Sequence, residues 1–60
     1  MDQKVDVLEE RMNQCQHIID YDGPLSQVAA RCELVGIKEA INFLGYSWIV
    51  HGGKYSIFKE

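Results

Sequence analysis

The feature that most constrains the fold of this chain is a glycine pair, Gly52-Gly53, with alternating apolar residues on both sides. Both glycines tolerate positive φ, so the pair is typical of the two-residue loop of a β-hairpin. Folding the chain at this point brings the apolar residues of the two flanking segments onto one face. These residues are Tyr46, Trp48, Val50, Tyr55 and Ile57. We therefore predict a hairpin over residues 46–58, which needs further packing because a lone hairpin is marginal in water.

The first part of the chain predicts helices separated by glycine and proline. Residues 3–20 have the helical spacing of three and four between apolar residues: Val5, Leu8, Met12, Cys15 and Ile19. The Gly23-Pro24 break follows, because glycine accepts unusual dihedrals and proline suits the first turn of a new helix. A second helix is predicted over residues 24–34 with Gly36 as its end, and a third over residues 37–44 with Gly45 as its C-terminal stop.

These elements together predict one small α+β domain over residues 1–60, with three helices followed by a C-terminal two-stranded antiparallel β-hairpin. Sixty residues can close around one hydrophobic core, although such a domain buries only about 60% of its unfolded surface. That size leaves little room for a deep catalytic cleft. The residues predicted to form the core are Val5, Leu8, Met12, Cys15, Ile19, Val28, Cys32, Ile37, Ile41, Leu44, Trp48, Val50, Tyr55 and Ile57.

Composition excludes several classes of protein. Hydrophobic residues make up 47% of the chain and charged residues 25%, a balance typical of globular domains. No apolar run approaches the roughly 18 to 20 residues of a membrane span. The start, Met1 to Asp6, has neither the basic residues nor the apolar stretch of a secretory signal. We therefore expect a cytoplasmic protein without membrane contact, with Cys15 and Cys32 buried and reduced.

The residue types that could support catalysis or metal binding do not have a suitable spacing. Cys15, His17, Cys32 and His51 are ligand types for zinc, but the Cys-x-His pair lies on a predicted helix and directs its side chains to different faces. No third group that would orient a Cys–His pair is evident. We predict that the protein is not an enzyme, and that it has no catalytic residues, no metal site and no cofactor.

Two segments resemble those of a DNA-binding domain. Leu25 to Arg31 looks like the first helix of a helix–turn–helix, and Gly52 to Ile57 looks like a glycine-rich wing with its returning strand. Over residues 24–59 the chain thus resembles a winged helix-turn-helix domain, similar to the small excisionases and regulators of phages and mobile elements. The resemblance implies a small DNA-binding protein that regulates transcription or acts as an accessory factor. The residues it implies for duplex DNA are Arg31, Lys38, Asn42, His51, Lys54 and Lys59.

The distribution of charge favours a second interpretation. Residues 1–30 hold six acidic residues and two cations, whereas residues 31–60 hold three acidic residues and four cations. The first half would therefore repel a polyanion such as DNA. The alternative function is a small acidic, phage-like inhibitor or adaptor that docks on a larger host protein or nucleic-acid-binding protein. Its predicted protein-binding residues, all on the first helix, are Asp6, Glu9, Glu10 and Ile18.

Apolar residues beyond the predicted core leave the oligomeric state open. They are Ile18, Ile19, Tyr21 and Phe58, more apolar surface than a 60-residue monomer is expected to cover. This surface favours a homodimer or a bound partner. In the competing interpretation, the first helix simply completes a three-helix core.

Overall fold

The computed structural model of this chain describes residues 3–60 and contains two helices followed by one hairpin. The elements are α1 (Gln3–Tyr21), α2 (Pro24–Phe43), β1 (Tyr46–His51) and β2 (Lys54–Lys59). The α+β class is therefore right, but the prediction of three helices is wrong. Met1 and Asp2, which the single-domain prediction also covers, lie outside the described residues.

The second and third predicted helices are one continuous helix. It neither ends at residue 34 nor restarts at residue 37, but runs through Gly36. A glycine inside a helix costs about 1 kcal/mol relative to alanine, which does not by itself break the helix. Leu34, Ile37 and Ile41 are buried on both sides of Gly36 at helical spacing. Their shared burial favours a continuous helix over a break at the glycine.

The predicted hairpin is confirmed in its position and in its register. β1 pairs with β2 antiparallel, with Val50 opposite Tyr55 and Trp48 opposite Ile57. Gly52 and Gly53 have φ values of 60° and 79°, the positive values that a tight two-residue loop requires.

The helices pack against each other and against the hairpin, with α1 next to β2 and α2 next to β1. The buried residues of this core are Val5, Met12, Cys15, Ala30, Leu34, Ile37, Ile41, Tyr55 and Ile57. Three other predicted core residues are partly buried and pack against it, namely Leu8, Ile19 and Trp48.

Four residues of the predicted core are exposed instead: Val28, Cys32, Leu44 and Val50. Because α2 continues at about 100° per residue, Val28 and Cys32 fall on the side of the helix opposite Leu34 and Ile41. Leu44 follows the end of α2, and Val50 lies next to the hairpin loop. The burial predicted for Cys15 is confirmed, the burial predicted for Cys32 is wrong, and both thiols are free.

Candidate functional site

The most distinctive surface of the molecule is the side of α2 that faces away from the core. Leu25 is 88% exposed and Phe43 is 90% exposed, and their separation of eighteen residues equals five helical turns. Both therefore point in the same direction. Between them lie further exposed apolar or small residues, and we call the whole set the outer face: Leu25, Val28, Ala29, Cys32, Val35, Gly36, Ala40 and Phe43.

The side chains of the outer face are small in the middle of α2 and bulky at its two ends. Cys32, Gly36 and Ala40 follow one another at intervals of four residues, so they form a ridge of small side chains along the helix. Nothing lies within 4 Å of the position that a Cβ at Gly36 would take. A second helix can therefore approach the backbone of α2 closely at this point.

Helices α1 and α2 are joined by a charged cluster at the rim of the core. The guanidinium of Arg11 donates two hydrogen bonds to the carboxylate of Glu33, one of them from Nη2 to Oε1 at 2.8 Å. The buried Cys15 thiol lies 3.4 Å from Oε2 of the same carboxylate. Desolvation by burial raises the pKa of the Cys15 thiol, and Glu33 raises it further. The thiol is therefore held in its neutral form.

Arg11 also controls the titration of Glu33. Its hydrogen bonds lower the pKa of the Glu33 carboxyl from 4.5 to about 2. A carboxyl with a lowered pKa in the folded state stabilises the fold above its unfolded pKa. That contribution is lost as the pH falls from about 4.5 through about 2.

We expect Glu33→Gln to remove this acid dependence. Between pH 4.5 and pH 2 the wild-type unfolding midpoint should fall more steeply than that of the variant, because only the wild type must protonate a paired carboxylate. Urea unfolding at several pH values, followed by circular dichroism, measures the difference. Glu10→Gln, at an exposed position on α1, is the matched control and should keep the wild-type slope. Equal slopes for wild type and Glu33→Gln would contradict the assignment.

Asn13 of α1 forms hydrogen bonds with the edge of β2 that does not pair with β1. The amide of Asn13 accepts a hydrogen bond from the Tyr55 N–H at 2.7 Å and donates one to the Tyr55 carbonyl at 3.3 Å. The Tyr55 hydroxyl lies 3.2 Å from Oε1 of Gln16, to which it donates. Asn13 thus pairs with Tyr55 as a residue of a neighbouring strand would, and it satisfies the backbone N–H and carbonyl of Tyr55 at this edge of the sheet.

Three of the residues predicted to contact DNA share one flank of α2. Arg31, Lys38 and Asn42 are separated by seven and four residues, which places them on the same side of the helix. Arg31 and Asn42 are exposed. The Lys38 ammonium, however, lies 4.2 Å from the centroid of Trp48 and 5.2 Å from the centroid of Tyr55. Lys38 therefore forms a cation–π contact with the hairpin.

The other three residues predicted for DNA lie at the two ends of the hairpin. His51 and Lys54 pair across the glycine loop, whereas Lys59 pairs with Tyr46 at the opposite end. Five residue steps along a strand separate Lys54 from Lys59 by roughly 16 Å. Beside the loop, an open groove of about 320 Å³ is lined by both Lys54 and Asp20. The structure thus brings the six residues together only in part, and DNA binding stays a prediction.

The residues predicted to bind a protein through the first helix also have different environments. Asp6 and Glu10 are exposed, and Glu9 is half-buried, within one turn of α1. Ile18 is half-buried and packs against the core. Of the further apolar residues considered for a dimer, Ile19 also packs on the core, whereas Tyr21 is 75% exposed and Phe58 is 41% exposed.

The outer face was missed by the reasoning from sequence, although its signal is present. Leu25, Val28, Cys32 and Val35 recur at steps of three and four, as one face of a helix should. A second stripe with the same period is buried, and it contains Ala30, Leu34, Ile37 and Ile41. The two stripes become distinguishable only when the helix is taken as continuous through Gly36.

The described residues contain neither a cluster of metal ligands nor a helix that could span a membrane. No group of three His, Cys, Asp or Glu side chains is placed to hold a metal ion within residues 3–60. Neither α1 nor α2 combines the length and apolarity needed to cross a bilayer, within the same part of the chain.

Comparisons with known proteins leave the family of this chain open. No protein-family model, no curated protein and no solved structure matches it.

Proposed function

We propose that this protein is a small non-enzymatic interaction module that binds another polypeptide through the outer face of α2. The partner it takes is an amphipathic helix, which lies along α2 and covers the apolar side chains. The observation that carries the proposal is the exposure of four large apolar residues on one side of a single helix. They are Leu25, Val28, Val35 and Phe43, which are 88%, 61%, 55% and 90% exposed.

The periodicity of α2 supports this function. Surface helices of monomeric domains have one apolar stripe that faces the core and a polar side that faces water. In α2 the core-facing stripe is complete, yet the opposite side is also apolar. Helices that are apolar on both sides are normally covered on both sides. A helical partner matches the shape of the outer face, because this surface is a narrow strip about 28 Å long on one side of α2.

A non-enzymatic role in the cytoplasm belongs to the same proposal. The groove between α1 and α2 has a volume of about 230 Å³, and the open groove beside the hairpin loop has about 320 Å³. Both volumes are at or below the lower end of the roughly 300–1,000 Å³ of ligand pockets. The free thiols of Cys15 and Cys32 support a reducing compartment. In this proposal, the docking surface of a protein-binding adaptor is the outer face of α2 and not the acidic residues of α1.

Site-specific photo-crosslinking in cells tests the proposal with a matched pair of positions. Val28 on the outer face and Val7 on α1 are both valines on helices, and both are 61% exposed. A benzophenone amino acid at position 28 should give covalent adducts that map to one helix of a partner polypeptide. The same group at position 7 should give at least about fivefold fewer adducts.

The adducts must also depend on the apolar surface. Adding Leu25→Asp, which places a charge one turn from position 28, should remove them, because a buried unpaired carboxylate is costly. Equal yields from positions 7 and 28, or adducts that persist with Leu25→Asp, would contradict docking on the outer face.

A further inference from the structure

The outer face complements itself, and this identifies a partner for it. We propose that the helix covering the outer face is α2 of a second copy of this chain, packed antiparallel about a two-fold axis near the middle of the helix. This inference rests on the proposed function, since it names the occupant of the same surface. It differs from the dimer considered from sequence, which involved the apolar residues of α1 and Phe58.

The area of the face is sufficient for a dimer. From the fractional exposures, its large apolar side chains present on the order of 500 Å² per copy. A symmetric pair would therefore bury roughly 1,000 Å² in total, below the roughly 1,200–2,000 Å² of stable interfaces and in the range of weak, transient ones. A dimer with an interface of this size exchanges with its monomer, so the fraction of dimer depends on protein concentration.

An antiparallel register centred on Leu34 pairs six of the eight positions of the face with an apolar or small position of the second copy, whereas Ala29 and Val35 lie level with Glu39 and Glu33. Leu25 then meets Phe43 of the second copy at both ends of the contact, and Val28 meets Ala40. Cys32 meets Gly36 near the axis, where small side chains let the two helices approach to about 8 Å. Bulky residues thus meet at the ends, and small residues meet in the middle.

Charge also favours the antiparallel register. Glu39 is an exposed acidic residue that borders the outer face, and the exposed cation Arg31 lies on the same flank of α2. Neither residue forms an ion pair within the described part of the chain. In the antiparallel pair, Glu39 lies opposite Ala29 of the second copy, about 3 Å along the helix from Arg31. In a parallel pair, by contrast, Glu39 would face Glu39 of the second copy.

Lys38 does not oppose this arrangement. It lies on the same flank as Arg31, and two such flanks meet in an antiparallel pair. Its ammonium is engaged with the rings of Trp48 and Tyr55 on the same chain, so it is turned toward the hairpin. Arg31 is therefore the cation of this flank that is free to reach Glu39 of the second copy.

Sedimentation equilibrium of the purified full chain at several concentrations tests the dimer. The wild type should approach twice the monomer mass of 6.9 kDa as the concentration rises. Val28→Asp should remain a monomer with unchanged helix content by circular dichroism. Val7→Asp, at the equally exposed valine on α1, should dimerise like the wild type. A wild type that is monomeric at every concentration would overturn the inference, as would loss of the dimer in Val7→Asp but not in Val28→Asp.

A charge-reversal cycle tests the register. Arg31→Glu and Glu39→Arg should each weaken the dimer by roughly tenfold at low salt, because each places like charges together twice. The double variant should recover to within about threefold of the wild type, since it restores two opposite-charge pairs. Additive weakening in the double variant would overturn the antiparallel register.

The outcomes separate this inference from the proposed function. A monomeric purified protein whose position-28 adducts map to the helix of a different polypeptide would overturn the second copy as occupant while supporting docking on the outer face. A dimer that forms through another surface, with no adducts from position 28, would overturn both.

Discussion

Replacing Ile41 with alanine is expected to leave a large fraction of the protein unfolded at room temperature. Ile41 is fully buried, and it belongs to the core that both helices and the hairpin share. Truncating a buried isoleucine to alanine costs about 2–5 kcal/mol. A single core of this size rarely supplies more than about 3–5 kcal/mol of stability. Urea unfolding followed by circular dichroism, at one fixed protein concentration, measures the loss.

Two further variants calibrate this result. Ile41→Val removes one methyl group and should cost about 0.5–1.5 kcal/mol. Val7→Ala, at an exposed position on α1, should change the free energy of unfolding by less than about 0.5 kcal/mol. If Ile41→Ala cost no more than Val7→Ala, the packing of α2 against the core would be wrong.

Asn13→Ala should produce the second large effect, by releasing β2 from α1. The change deletes both hydrogen bonds to the backbone of Tyr55 and leaves a part-buried N–H and carbonyl without these partners. Leaving such groups unsatisfied costs about 1–3 kcal/mol. We expect the urea midpoint to fall accordingly, and the Tyr55 amide proton to exchange with solvent much faster.

Two asparagine controls distinguish hydrogen bonding from a general effect. Asn13→Asp keeps the oxygen that accepts from the Tyr55 N–H but loses the donor, so its cost should be intermediate. Asn42→Ala, on the exposed last turn of α2, should be nearly neutral. Tyr55 exchange that stays slow in Asn13→Ala would show that the side chain does not hold the strand.

The sequence predicts this fold best where the determining interactions are local. The hairpin register depends on the Gly52-Gly53 loop and on alternation within six residues on either side, all of which is readable from the chain. The break at Gly23-Pro24 is likewise local. Gly36 is different, because its effect depends on whether Leu34 and Ile41 are buried on the same surface. Their burial is a property of the assembled core.

The contacts that join distant parts of the chain could not be predicted from the sequence for the same reason. Arg11 and Glu33 are separated by twenty-two residues, and Asn13 and Tyr55 by forty-two. Neither pair has a spacing rule that would mark it, since both depend on how α1 lies over its neighbours. The outer face is an intermediate case. Its period is visible in the sequence, but a helix that ends before Gly36 predicts that Val28 and Cys32 belong to the core.

The pairing of the first helix with the last strand has a consequence for synthesis. Asn13 acquires its partner only when Tyr55 has left the ribosome, and the core that contains Met12 is complete only when Ile57 has followed. Until then, α1 and α2 can form only an incomplete helical pair, whose inner surface lacks the hairpin that covers it. Folding of this chain is therefore completed after translation of β2, and a nascent chain that stalls before that point exposes two apolar sides of α2 at once.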